Sequence, residues 1–560
     1  MNKRMSLSEW LCLGALLLAL LLSFGVVCSV SQNLFDSDTS SDLVYAHYLA
    51  HGGDFISQNW CYSTEIRVVA TDLIFTPLFM VLNDWSLVRT IGTMLLQLLL
   101  LASYYALTRA CRMGRKAFFL GGALLLMPVS VTYGRIVLYH TYYMQYLILG
   151  LLMTAGLIRM LTCLEEGQTG RFLWHLALFV LLTWLSSLSG YRQMAVTHVP
   201  LALMAVVWLW RAANRKDDLR ALQTLLIVGA GIVGGCIGLL INARLQEVAS
   251  FSSFSEIGLT FIPAEKLMNL VFGLMHLFGY RRGMSLLTIT GILSVLGVVV
   301  ALACLVHSFR AVVSKDREPT LARQTINDLL PCSLVVLCML MFLTEENSDP
   351  ERYLLPYAFW YIPLLAQLMT TQPDREEPLR LGRIQLPQWL TPKKVILYAL
   401  WGICLLNGLM NMRSFLRPDA FGQPYEGLDQ RNPAQVVEFR EPVQYLQENG
   451  YDLGYGPHWN ANVLTEMTDG QLPMVAIRRT EATDAQTIGI TYVDWLTLRS
   501  NRELPTEKPF LMLLHENVFW IQGTVFEGLV SEVYRNDQYV IFDIADHEAF
   551  RQALLQREGM

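Results

Sequence analysis

The sequence predicts an α-helical polytopic membrane protein of about 11 transmembrane helices, with surface helices in the first outer loop and a small C-terminal α+β extracytoplasmic domain. Three observations carry this. Of 560 residues, 53% are apolar and only 16% charged, where soluble proteins carry about a quarter charged. Apolar runs of about the length needed to cross a 30 Å hydrocarbon core recur through the first 412 residues. Charge then concentrates in the tail: of 42 basic and 47 acidic residues, 12 and 22 fall in 413–560. The two parts, 1–412 and 413–560, are therefore read as a transmembrane and a soluble domain. Neither has the basic excess of a nucleic-acid binder, and no nucleic-acid partner is expected.

The runs lie near 10–30, 85–107, 117–132, 139–160, 172–189, 194–210, 222–241, 285–306, 329–343, 353–369 and 395–412, the ninth being short. The first follows Asn2-Lys3-Arg4 as a signal peptide would, but it is long for one and no A-x-A-like site follows. With the N-terminus cytoplasmic, the inner loops hold 21 Lys and Arg and the outer loops nine, as retention of basic residues inside requires. An odd number of crossings exports the tail, so the protein is expected in the plasma membrane with its C-terminal domain outside. Of the ten cysteines only Cys61 faces outward and the tail has none. The tail must then be stable through its own core rather than a disulfide framework.

Two outer loops are unusually long, 31–84 and 242–284. In the first, Ser40 or Ser41 can cap a helix running to about His51 and ended by Gly52-Gly53. A second apolar stretch, 68–82, is short enough to lie at the interface. In the second loop, 261–283 shows apolar residues at helical spacing from Leu267 to Phe278, which suits a lid, a packing helix or a substrate contact. Asp36, Asp38 and Asp42 follow the first crossing directly. Carboxylates at that level suit proton abstraction or metal binding, although D-x-D also occurs in solvated loops and caps, and Asp42 can simply favour a helix dipole.

The order of first crossing, acidic loop, surface helix and Gly53-Asp54-Phe55 turn resembles polytopic glycosyltransferases of the GT-C type, including protein mannosyltransferases and lipid A aminoarabinose transferases. Asp38, leading into SSDLVYAHYLA, falls at that family's catalytic carboxylate position if one residue is inserted, and Thr39 stands where the family has Glu. Either Asp36 or Asp38 can therefore be the base. A second likeness is DPERYLLPYAFWYIPLL, 349–365, because Arg-Tyr followed by Pro is frequent at this place in such enzymes. The resemblance spans about 10–370 and implies a sugar donor on a polyprenyl phosphate, its phosphate at the outer interface. It also implies an inverting displacement by an acceptor hydroxyl, with a divalent cation possible and no other cofactor certain.

That chemistry needs outer cations for the departing phosphate, and Arg135, Arg192, Lys266, Arg281 and Arg352 are the candidates. Tyr353 accompanies Arg352. Arg281 and Arg282 can instead snorkel to headgroups. His140 and His198 sit near outer helix ends, where packing competes with substrate or metal binding. Glu65 and Arg67 can bind sugar or pair with each other, and Trp60 and Tyr62 can stack on a sugar ring or mark the interface. Asp42 completes the expected substrate contacts. Gly229 to Gly238 in the seventh run fit close helix packing, and no strand or lysine supports a nucleotide loop.

In the tail, a linker at 417–433 precedes a helix, PVQYLQEN, and strands MVAIRR, FLMLLH and YVIFDI. The stretch YGPHWNANVLTEMTDGQ resembles tails of bacterial members of the same transferase group and offers aromatic and amide groups for carbohydrate or for a structural turn. The resulting expectation is a membrane glycosyltransferase acting on a cell-envelope glycan, lipid or protein. A transporter, a flippase and a noncatalytic scaffold are the alternatives. The near absence of central charges in the runs, Gln97 being the conspicuous polar residue, argues against a path through the bilayer.

Overall fold

The structure is a computed structural model that describes residues 5–63, 65–139, 141–212, 218–252, 263–280, 284–313, 320–343, 350–371, 380–381, 384–385, 391–416, 436–480 and 489–557. Helix α1 (Leu7–Asn33) starts in a reciprocal capping box between Ser6 and Glu9. Then come α2 (Ser37–Ala50), α3 (Asp72–Phe79) and α4 (Trp85–Ala110), the last capped by Asp84, which accepts from the Leu87 amide at 2.8 Å. Between α2 and α3, strand β1 (Tyr62–Ser63) pairs in parallel with β2 (Phe251–Ser252), tying the two long loops together.

The third apolar run breaks. Helix α5 (Arg115–Leu126) stops before Pro128, which lacks an amide to continue the ladder, and Ser130 caps α6 (Val131–Gly134) by accepting from the Tyr133 amide. The two segments meet at 99°, and α6 runs on into a π-helical turn, Arg135–Tyr139. Next come α7 (Met144–Glu165), α8 (Thr169–Ser187), α9 (Val199–Ala212), entered through a π-turn at Met194–His198, and α10 (Asp218–Val248). Helices α8 and α10 approach so closely that a Cβ on Gly238 would lie 2.5 Å from the Trp184 carbonyl, the packing role the glycine run implies.

Helix α11 (Pro263–Leu277) lies in the second long loop, followed by α12 (Ile289–Val313) and α13 (Leu321–Leu343). The tenth run is divided into α14 (Pro350–Ala358) and α15 (Tyr361–Thr370). A small hairpin, β3 (Arg380–Leu381) and β4 (Ile384–Gln385), leads to α16 (Pro392–Phe415). Each of the eleven runs overlaps a helix. Among the described residues, however, eight helices are long and apolar enough to cross a membrane, or nine with the bent pair as one span, against the eleven expected. A buried pair inside the bundle joins three helices: Arg211 grips Asp328 with both terminal nitrogens at 2.7 and 2.9 Å and donates to the Val312 and Ala311 carbonyls, while Trp208 donates to Asp328.

The remaining described residues build a mixed sheet. Its elements are α17 (Val436–Glu448), β5 (Leu453–Pro457), α18 (His458–Met467), β6 (Met474–Arg479), β7 (Ile490–Tyr492), β8 (Pro509–Leu514), β9 (Val530–Arg535), β10 (Tyr539–Ile544) and α19 (His547–Leu555). The strand order is β7-β6-β5-β8-β10-β9, with β5 parallel to β6 and β8 and the outer pairs antiparallel. Strand β5 is buried along its whole length, as a central parallel strand covered on both faces should be. One face packs against α17 and α18, the other against α19. The helix and three strands expected in the tail are all present, and α18, α19, β5, β7 and β9 are additions. Phe35, just after α1, is buried in the core beneath α17 and α18.

Candidate active site

Helix α2 begins earlier than its serines suggested. Asp36, not Ser40 or Ser41, is the cap, accepting through one oxygen from the amides of Asp38 at 3.1 Å and Thr39 at 3.4 Å. An ionised carboxylate at this end is held by the helix dipole as well as by the two amides. Its second oxygen is 3.9 Å from Arg135, which heads the π-turn. Asp38 sits in the first turn, half-buried, and Asp42 follows four residues on, so both project from one face of α2.

Asp42 accepts from Thr71 Oγ1 at 3.0 Å and lies 3.9 Å from Arg67. Arg67 is 3.7 Å from Glu65, and the same Glu65 oxygen is 3.4 Å from Arg192 and accepts from Tyr146 at 3.2 Å. Arg192 also donates to Tyr143 Oη at 3.4 Å. A chain of alternating charge thus runs Asp42, Arg67, Glu65, Arg192, with Asp36 and Arg135 as a second pair. Gly190 makes room for it. Its φ of +94° is left-handed, and a Cβ there would stand 2.2 Å from Glu65 Oε2.

Burial raises the pKa of Asp42 despite Arg67 and Thr71. Arg67 stays charged because Asp42 and Glu65 outweigh the burial that opposes its charge. Asp72, at the start of α3, is pushed up to about 7 by burial and by the nearby charge of Asp42. No motif marked this residue; its place at the start of a short apolar helix concealed it. Tyr146, inside a transmembrane helix, was equally hidden.

Other expected residues fall elsewhere. Trp60 is 3% exposed, stacked on Tyr45 at 4.9 Å and bridged through its backbone to Leu498. Tyr62 is also buried, its hydroxyl donating to the Phe55 carbonyl. Both rings pack within the hydrophobic core. The expected His198 is fully buried, with Nε2 2.9 Å from Thr183 Oγ1, and packs α8 against α9. Lys266 lies on α11 and Arg352 and Tyr353 on α14, but their side chains, like His140, Arg281 and Arg282, lie outside the described residues. Among the described residues, no group of three His, Cys, Asp or Glu is placed to hold a metal ion.

The tail covers this site. Ser37 Oγ donates to the His458 carbonyl at 2.7 Å, and the His458 ring, kept neutral by burial with its pKa down to about 4, stacks on Trp495 at 4.5 Å. The backbone of 59–61 pairs with 496–499: the Cys61 amide donates to Thr497, Leu496 to Cys61 and Arg499 to Asn59.

Fold and site together define a class: a multi-pass integral membrane protein whose acid-headed helix, just after the first apolar helix, is roofed by an α/β domain. No family model matches the sequence, and no curated protein matches it. Solved structures do. The crystal structure of ArnT from Cupriavidus metallidurans bound to undecaprenyl phosphate is similar over 97% of this chain and 99% of that one, with 13% identity and a TM-score of 0.52. ArnT of the same organism in the apo state is similar over 95% and 98%, with 11% identity and a TM-score of 0.48. The chain has the fold of ArnT.

Proposed function

We propose that the protein transfers a sugar from a polyprenyl-phosphate donor to a cell-envelope acceptor on the outer face of the membrane. The observation that carries this is the convergence of Asp36, Asp38 and Asp42 with Arg67, Arg135 and Arg192 in a chain with the fold of a protein crystallised with undecaprenyl phosphate. Asp38 is the better base. Asp36 caps the helix with one oxygen, faces Arg135 with the other and is buried, whereas Asp38, in the same turn, is the more accessible carboxylate and stands at the position that the sequence resemblance gives to the base. The acceptor hydroxyl gives its proton to Asp38 as its oxygen bonds to the anomeric carbon. The bond from that carbon to the phosphate oxygen breaks on the opposite side, which inverts the configuration. Negative charge grows on the leaving phosphate, and the guanidinium groups of Arg135, Arg67 and Arg192 are the fixed positive charges available to it. Arg192 and Arg67 are held in place by Glu65.

The test is transfer of labelled sugar from a panel of polyprenyl-phosphate sugars by the purified protein in lipid. Transfer or donor hydrolysis that disappears in Asp38→Asn, with fold and lipid binding intact, supports the reading. Intact donors across a broad panel with added envelope acceptors would overturn it.

A further inference from the structure

The turn that carries the acids, residues 34–40, is fixed from both ends by one buried ion pair whose acid comes from the far end of the chain. Arg89, in the first turns of α4, donates to the Leu34 carbonyl at 2.9 Å and to Glu466 of α18. The same oxygen of Glu466 accepts from Ser40 Oγ at 2.6 Å. Both side chains are 1% exposed. Between these two anchors the turn makes two more contacts with the tail: Phe35 enters its core, under the Arg89 guanidinium at 5.4 Å, and Ser37 donates to the His458 carbonyl. A neighbouring bond from the Trp85 amide to Asp469, 2.9 Å, seats α18 on the start of α4. Asp36 and Asp38 lie inside this bracket.

A buried ion pair placed only for stability has no reason to grip a loop at its first and last residues. We propose that Glu466 is a positioning residue: through Arg89 and Ser40 it sets the place of Asp36 and Asp38, and the acidic site is complete only when the C-terminal domain is docked. That the turn performs the transfer rests on the function proposed above; that Glu466 orders it does not.

The experiment uses the full-length protein in lipid nanodiscs. Amide hydrogen exchange is followed in peptides covering 34–42, α4, α18 and the sheet, alongside transfer kinetics, in wild type, Glu466→Ala and Ser40→Ala. Glu466→Ala removes a charge-assisted contact at one end and loosens Arg89 at the other. Exchange at 36–41 is expected to rise about tenfold or more, with the sheet and the distant helices within about twofold. Ser40→Ala, which leaves no charge unpaired, is expected to raise it by a few-fold. The loss of transfer is expected to fall on kcat, with KM for the donor within about twofold. Glu466→Gln, which keeps an acceptor for Ser40, is expected to recover part of both losses. Exchange at 36–41 unchanged in both Ala variants would overturn the proposal. So would a uniform rise across 36–41, α4, α18 and the sheet, which marks ordinary destabilisation. If the wild type turns over no donor, the function fails while the exchange result still decides the role of Glu466.

Discussion

Asp72→Asn tests the electrostatics of the site most directly. Asp72 is 5% exposed, and its carboxyl is raised to about 7 from an unfolded value of 3.8, first by burial and then by Asp42. A carboxyl with a raised folded pKa binds its proton more tightly folded than unfolded, so wild-type stability falls as pH rises through the window from about 4 to 7. Three pH units correspond to about 4 kcal/mol. Asp72→Asn removes that dependence: the variant should match the wild type near pH 4 and exceed it by about this amount above pH 7. Two measurements check this. The infrared band of a protonated carboxylic acid should be present in the wild type at pH 6, titrate with a midpoint near 7, and vanish in the variant. The thermal midpoints of the two proteins should coincide in acid and separate on going alkaline. A Asp72 band absent at pH 6, or midpoints that run parallel across the range, would refute the reasoning.

The remaining expectations concern packing and the acids. Gly190→Ala puts a methyl group against Glu65 and should release Arg67 and Arg192, weakening binding of the polyprenyl phosphate proposed as the donor's carrier about tenfold, the size of one lost charge-assisted contact; unchanged titration would count against the charge chain. Arg211→Met leaves Asp328 buried and unpaired and should cost about 3–5 kcal/mol in denaturation, most of it recovered in Arg211→Met/Asp328→Leu. Asp36→Asn keeps a capping side chain and should retain at least about a tenth of transfer activity, whereas Asp38→Asn should lose about a hundredfold or more; the reverse order would make Asp36 the base.

Much of the fold could be read from apolar periodicity, because a membrane helix needs only length and composition. What periodicity cannot see is a bend. The third run remains apolar through Met127-Pro128-Val129, yet Pro128 and the Ser130 cap turn the chain by 99°. The start of α2 was misplaced because Asp36 and Ser40 are equally good caps in isolation, and the contacts of the turn with Arg89 and α18 decide between them. In the site, the acids of the first loop and Arg135, Arg192 and Glu65 were visible as charges where a membrane protein has few. Asp72 was not, since only the folded chain brings it beside Asp42. Trp60 and Tyr62 illustrate the same limit: an aromatic near the interface looks the same in sequence whatever it meets, and only the folded chain packs these two against Tyr45 and bridges Trp60 to Leu498.

The bond from Ser40 to Glu466 spans 426 residues, and synthesis at about 5–20 residues per second puts roughly 20 to 85 seconds between the emergence of its two ends. During that interval the membrane already holds α1 and the acidic turn, but Phe35 has no core to enter and Arg89 has no carboxylate to meet. The turn therefore waits unassembled while the rest of the bundle inserts, and a chain released early carries its acids without the support that orders them.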